Sequence, residues 1–316
     1  MLTKKQGINS PRNVYGDTLV ELGKKNPNIV VLDADLSCST QTARFKKVYP
    51  ERFFNCGIAE QDLMGTASGL AYGGKTVFAS TFAMFATARC LDQIRNTICY
   101  SKLDVKIVAT HGGVTVGEDG ASHQALEDVA LMRVLPEMKV IVPSDCREVK
   151  QVLEYAANTK GPMYIRIPRT NLNDIFDEKY KFNAFNGVKL KEGKDLTIVS
   201  NGEMLFEVLE AARKLEEIGI SAEVLHYPMV KPFHHLVLKD SALKTRKVVT
   251  VENHSIIGGL GSAVCESLSQ YAPTKVHRIG TKDVFGQSGE QRQLLEFYGL
   301  TSNKLYEEII KFMEVK

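Results

Sequence analysis

VKIVATHGGVTVGEDGASHQ, residues 105–124, opens as an apolar, β-branched run and turns at His111 into a glycine-rich loop holding two histidines and two acids, Glu118 and Asp119. A strand apolar at successive positions is covered on both faces, which is how the strands of a parallel sheet read. Ligands of such sheets bind beyond the carboxyl ends of the strands, so His111, Asp119 and His123 lie where function is expected rather than packing. Runs of the same kind recur at 28–32, 75–79, 139–142 and 163–167, with helix-like segments at 61–71, 82–100 and 144–158 between them. Ser144 reads as the N-cap of the last helix, with Asp145 and Glu148 favouring its first turn. The pattern predicts an α/β fold. After Pro168 it dissolves into a polar, turn-rich stretch, 169–195, and then resumes with strands at 196–200, 222–226, 248–252 and 274–278 and helices at 203–217 and 260–271. Two domains are therefore expected, 1–170 and 194–316 with a linker at 171–193, each a mostly parallel sheet covered by helices.

The 316 residues suffice for two such domains, each large enough to bury a core. Forty basic against 37 acidic side chains leave +3, too balanced for a protein that binds nucleic acid by neutralising phosphates. Cysteines at 38, 56, 90, 99, 146 and 265 show neither CxxC spacing nor a secreted framework, so reduced thiols and a cytoplasmic location are expected. No run of 18 apolar residues is present, and no membrane partner is expected.

Other segments carry chemistry. NCGIAEQ, 55–61, sets Glu60 at the opening of a helix containing Gly65, Ala67, Ser68, Gly69 and Ala71, small residues that let another backbone approach. Glu60 either favours the helix dipole or is a carboxyl buried at an interface, with a raised pKa suited to proton transfer. Phe82 and Phe85, in STFAMF at 80–85, stand one turn apart and read as core or as a ring-binding pocket. Arg166 and Arg169 flank Pro168 as solvated charges or a phosphate clamp. The glycines of GGLGS, 258–262, precede a helix and offer packing or an anion site.

Taken in order, NCGIAEQ, STF, GEDGASHQ at 117–124, LPEMKVIVPSD at 135–145 and IRIPRTN at 165–171 resemble the pyrimidine-binding and carboxy-terminal domains of transketolase, over essentially the whole chain. The resemblance implies a thiamine-diphosphate enzyme that moves a two-carbon ketol unit from a ketose phosphate to an aldose phosphate, as in pentose phosphate interconversion. Glu60 would hydrogen-bond and activate the aminopyrimidine, Phe82 and Phe85 would surround that ring, and Asp35 would lie near the thiazolium. A third aromatic of the family corresponds to Ala88. His111 and Asp119 would contact the sugar phosphate and the hydroxyl beside the donor carbonyl, and His123 the reacting carbonyl. Arg12, Ser39, His111 and Arg169 would anchor the terminal phosphate. The family's preceding domain carries a Gly-Asp-Gly motif and an asparagine that hold Mg2+ and the diphosphate, and no such pairing occurs here. The chain thus resembles the carboxy-terminal subunit of a split transketolase, with no metal ligands of its own, an amino-terminal partner and an α2β2 assembly. Alternatives within the resemblance are the β subunit of a 2-oxo-acid dehydrogenase and a 1-deoxyxylulose 5-phosphate synthase-like subunit. A non-catalytic partner protein is the alternative outside enzymes, and joint retention of Glu60, His111, Asp119 and His123 speaks against it.

Overall fold

The computed structural model describes residues 2–3 and 7–314. In chain order, the strands before residue 174 are β1 (Ile8–Asn9), β2 (Ile29–Asp33), β3 (Phe53–Asn55), β4 (Thr76–Phe82), β5 (Val105–Thr110), β6 (Lys139–Ile141), β7 (Met163–Ile167) and β8 (Leu172–Asn173). Then come β9 (Val188–Lys191), β10 (Leu196–Ser200), β11 (Ala222–His226), β12 (Met229–Lys231), β13 (Lys247–Ser255) and β14 (Lys275–Thr281).

The first sheet has the order β12-β6-β7-β5-β4-β2-β3 and is parallel except for β12. Every residue of β2, β4 and β5 is buried, as apolar strands between two helical layers must be. Alternate side chains of β2 enter opposite cores: Val30 and Leu32 join Leu63, Met64 and Ile98, whereas Ile29 and Val31 join Tyr15, Leu19 and Leu153. The layers are thus Glu60–Tyr72 with residues 83–99 on one face, and Pro11–Lys25 with Cys146–Asn158 on the other.

The second sheet, β14-β13-β10-β11-β9, is parallel apart from β9. Met204–Glu217 and Ser302–Glu314 cover one face, and Leu236–Thr245 and Leu260–Tyr271 the other. The two mostly parallel, helix-covered sheets agree with the α/β expectation.

Three local expectations are corrected. The single helix at 82–100 is broken: Phe82 ends β4, Ala83–Thr87 and Leu91–Gln93 are short helices, and Ile94–Cys99 is a π-helical turn. The N-cap of Cys146–Asn158 is Asp145, not Ser144; its carboxylate accepts from Glu148 N at 2.8 Å while the Glu148 carboxylate accepts from Ser144 N at 2.8 Å. The segment 171–193, read as linker, contains β8, paired with β1, and β9 at the edge of the second sheet.

Candidate active site

β2 leads outward to β3, whereas β4, β5 and β7 extend the sheet the other way, so the winding reverses between β2 and β4. Crevices at such reversals, beyond the carboxyl ends, are the usual ligand sites of open α/β sheets. Phe82 ends β4, His111 directly follows β5, and Arg169 lies two residues past β7.

These chain ends bring four rings together. Phe82 and Phe85 lie 5.9 Å apart with planes 18° from parallel, and His111 stacks on Phe82 at 3.8 Å. His123 meets Phe85 edge-on at 5.2 Å. His111 is buried, and its Nδ1 lies 2.8 Å from Thr110 Oγ1, which leaves Nε2 as the nitrogen available to a ligand. Burial foremost, then the charges of Arg12, Arg169 and His123, push its pKa down to about 3, so the imidazole is neutral at pH 7.

Glu60 begins the helix Glu60–Tyr72 with its side chain only 3% exposed. The turn ahead of it is fixed by Asn55, whose Oδ1 accepts from Gly57 N and Asp35 N at 3.0 Å each and whose Nδ2 donates to Asp35 Oδ1 at 2.9 Å. Gly57 sits at φ 70°, in the left-handed region that glycine enters without strain. Asp35 is exposed at this turn. Arg12 Nη1 donates to the carbonyl of Ser39 at 3.0 Å, so two of the phosphate candidates adjoin, while Arg12 Nε is buried without a hydrogen-bond partner. Arg169 donates to Val116 O and to Glu118 Oε2, and its charge lowers the pKa of both Arg12 and His111. Asp119 is exposed at the end of the 3-10 segment Val114–Asp119.

Two of the options opened by the sequence close. Arg166 is no phosphate clamp: it is buried and donates to Asp128 Oδ2, Ala125 O and Asn253 O. The helix start after Gly258 and Gly259 is no free anion site, because the Glu252 carboxylate accepts from Leu260 N at 2.6 Å and Gly261 N at 2.8 Å.

Sequence reasoning missed Arg89. Its Nη1 donates to Glu60 Oε2 at 2.7 Å, and its guanidinium lies 4.6 Å over the ring of Phe85. It also missed Asp33, which is buried and accepts from the hydroxyls of Thr40 and Thr42 and from Leu36 N; burial raises its pKa. Among the described residues, no group of three or more His, Cys, Asp or Glu is arranged to hold a metal ion.

Comparison with known proteins agrees with this architecture. Residues 10–174 match the transketolase pyrimidine-binding domain, and residues 186–305 match the transketolase C-terminal domain. A protein of Methanocaldococcus jannaschii named for the C-terminal section of a transketolase is 51% identical over 306 residues, 96% of each chain. A 6-deoxy-6-sulfo-D-fructose transketolase subunit of Clostridium sp. (strain MSTE9) is 40% identical, covering 93% of this chain and 91% of its own. A solved structure described as a split gene transketolase, inactive beta4 tetramer, superposes with a TM-score of 0.89 at 50% identity over 98% of this chain and 100% of that one. With both domain matches and the relatives' near full-length agreement in hand, the chain belongs to the transketolase family.

Proposed function

We propose that this chain is the carboxy-terminal subunit of a two-chain, thiamine-diphosphate-dependent transketolase. The observation that carries the reading is the gathering of Phe82, Phe85, His111 and His123 beyond the carboxyl ends of β4 and β5, with the buried Glu60 joined to Phe85 through Arg89. The donor set fits an aminopyrimidine: a shielded carboxyl for the ring edge and two near-parallel aromatic rings for its face. The unpartnered, buried Arg12 Nε is likewise a donor suited to a phosphate oxygen. Thiamine diphosphate, when bound, supplies the carbon nucleophile that carries the ketol unit between sugars.

This chain's own residues then divide the remaining work. Glu60 holds a proton against the pyrimidine edge, and Phe82 and Phe85 keep water from its face. Asp35 borders the approach to Glu60. His111, neutral at pH 7, offers Nε2 to the sugar phosphate, and Arg12, Ser39 and Arg169 take the terminal phosphate. Asp119 accepts from the hydroxyl beside the donor carbonyl, and His123 moves the proton at that carbonyl.

The amino-terminal partner would hold Mg2+ and the diphosphate, with the assembly an α2β2 heterotetramer in the cytoplasm. Gly65 and Gly69 support a partner face: a Cβ added at either would meet nothing within 4 Å, and nearby Ile58 and Tyr72 are exposed. One relative is named for a sulfo-sugar and another, 34% identical, for apulose 4-phosphate, so the donor is assigned here as a ketose phosphate without a narrower name.

The test is reconstitution with the amino-terminal partner and assay of ketol transfer from a ketose phosphate to an aldose phosphate. Glu60→Ala should lower turnover at least a hundredfold, the scale of losing a positioned proton-transfer group. Turnover of 2-oxo acids instead of ketose phosphates, or equal activity in the variant, overturns the reading.

A further inference from the structure

We propose that Arg89 is the gate of the cofactor pocket: in the chain alone its guanidinium stands where the aminopyrimidine would bind, and the cofactor enters as Arg89 swings out. The inference rests on the reading of Glu60 and Phe85 as cofactor ligands. One side chain engages both groups, with Nη1 2.7 Å from Glu60 Oε2 and the guanidinium 4.6 Å above the Phe85 ring. A guanidinium is flat, presents N–H donors along its edge and stacks on aromatic faces, so it occupies both the carboxyl and the ring face that an aminopyrimidine would use. A carboxylate in an ion pair with a guanidinium carries no O–H, so Glu60 cannot donate to a ring nitrogen while its pair with Arg89 persists.

The two partners differ in freedom. The Glu60 side chain is 3% exposed and the Arg89 side chain 48%, so displacement moves the arginine and leaves the carboxyl in place. The Arg89 backbone is held, because Gln61 Nε2 donates to its carbonyl at 3.1 Å, and it lies between the short helices Ala83–Thr87 and Leu91–Gln93. Its neighbour Ala88 is exposed and has no side chain bulky enough to block the swing. The arginine also serves the empty pocket, since a nearly buried carboxylate without a partner is costly. Arg89 therefore stabilises the free chain and opposes loading, two effects of opposite sign that a purely structural arginine would not combine.

The experiment uses the reconstituted pair with Mg2+, measuring the association rate and equilibrium affinity of thiamine diphosphate for wild type, Arg89→Ala, Arg89→Gln, Glu60→Gln and the double variant Arg89→Gln/Glu60→Gln. Thermal unfolding of each free chain is recorded alongside. Arg89→Ala and Arg89→Gln should lower the melting temperature of the free chain yet load cofactor about tenfold faster or tighter, the scale of one partly exposed ion pair plus one cation–π contact. In the Glu60→Gln background, adding Arg89→Gln should give a clearly smaller gain, because only the contact with the Phe85 ring is then left to lose. Unchanged or weaker loading in both arginine variants, or the same gain without Glu60, overturns the gate. A wild-type pair that binds no thiamine diphosphate overturns the cofactor reading beneath it, and that measurement is made before any variant.

Discussion

His111 shows how burial sets a chemical state. Its pKa, held near 3 by burial and by the guanidinium charges of Arg12 and Arg169, lies below the ordinary value of 6.5. Between those two values the unfolded chain binds a proton at this residue that the folded chain refuses, so stability falls as pH falls, by up to about 1.4 kcal/mol per pH unit. His111→Asn should flatten that part of the acid limb, and asparagine tolerates the left-handed φ of 62° at this position. Unfolding free energies of the two isolated chains between pH 6.5 and 3 provide the check, and identical slopes would mean that folded His111 is protonated. The motifs that contain Glu60, Phe82, Phe85, His111, Asp119 and His123 stand out in the sequence because each has its own short spacing. Arg89 does not, since an arginine within a helix-like run reads as a solvated charge, and its contact with Glu60 spans 29 positions.

The helix Glu60–Tyr72 carries two messages in one stretch. Leu63, Met64, Ala67 and Ala71 face the core, whereas Gly65 and Gly69 leave the outer side smooth and open. Gly69→Leu should stabilise the isolated chain by about 0.5–1 kcal/mol, since leucine is the better helix former and no neighbour obstructs it. The same substitution should weaken assembly with the amino-terminal partner at least tenfold if another backbone lies against this face. Denaturant titration of the free chain and sedimentation of the mixture read the two effects, and undiminished assembly would remove the helix from the interface. The small residues at 65–71 made the close-approach face visible in advance. The break in residues 83–99 was invisible, because an extra residue absorbed by the π-helical turn Ile94–Cys99 leaves the apolar spacing of 82–100 looking helical. The one-residue error at the cap arose because Ser144 and Asp145 are both good capping residues, and only the extended backbone of Asp145, at φ −142° and ψ 175°, selects it.

Across the whole molecule the domains are fastened by buried polar contacts. Asn253 accepts from Val114 N at 2.9 Å and donates to Glu203 Oε1 at 2.6 Å, and Glu203 also accepts from Thr115 Oγ1. Gln124 donates to Val114 O at 3.1 Å and to Gln287 O at 3.0 Å. The loop carrying His111, Asp119 and His123 is therefore held from the second domain as well as the first. β12 adds a stronger tie, since it leaves the second domain to pair with β6 as the edge strand of the first sheet. The isolated chain should accordingly unfold in one transition, coincident by tyrosine fluorescence and far-ultraviolet circular dichroism, and two separated transitions would refute that coupling. Apolar runs in the sequence revealed both sheets. They did not reveal the strand exchange, because β12 is three residues long and lies between Pro228 and Pro232, where no period can be read.

That borrowed strand bears on how a gene of this family tolerates being divided. A break between the two sheets would leave the first with the edge of β6 bare, a template for pairing with the wrong chain, and the second with an orphaned segment in search of a sheet. Natural or engineered fission is thus expected to spare the connection from β7 to β12 and to fall where no strand is shared, so that each translation product reaches its partner already folded.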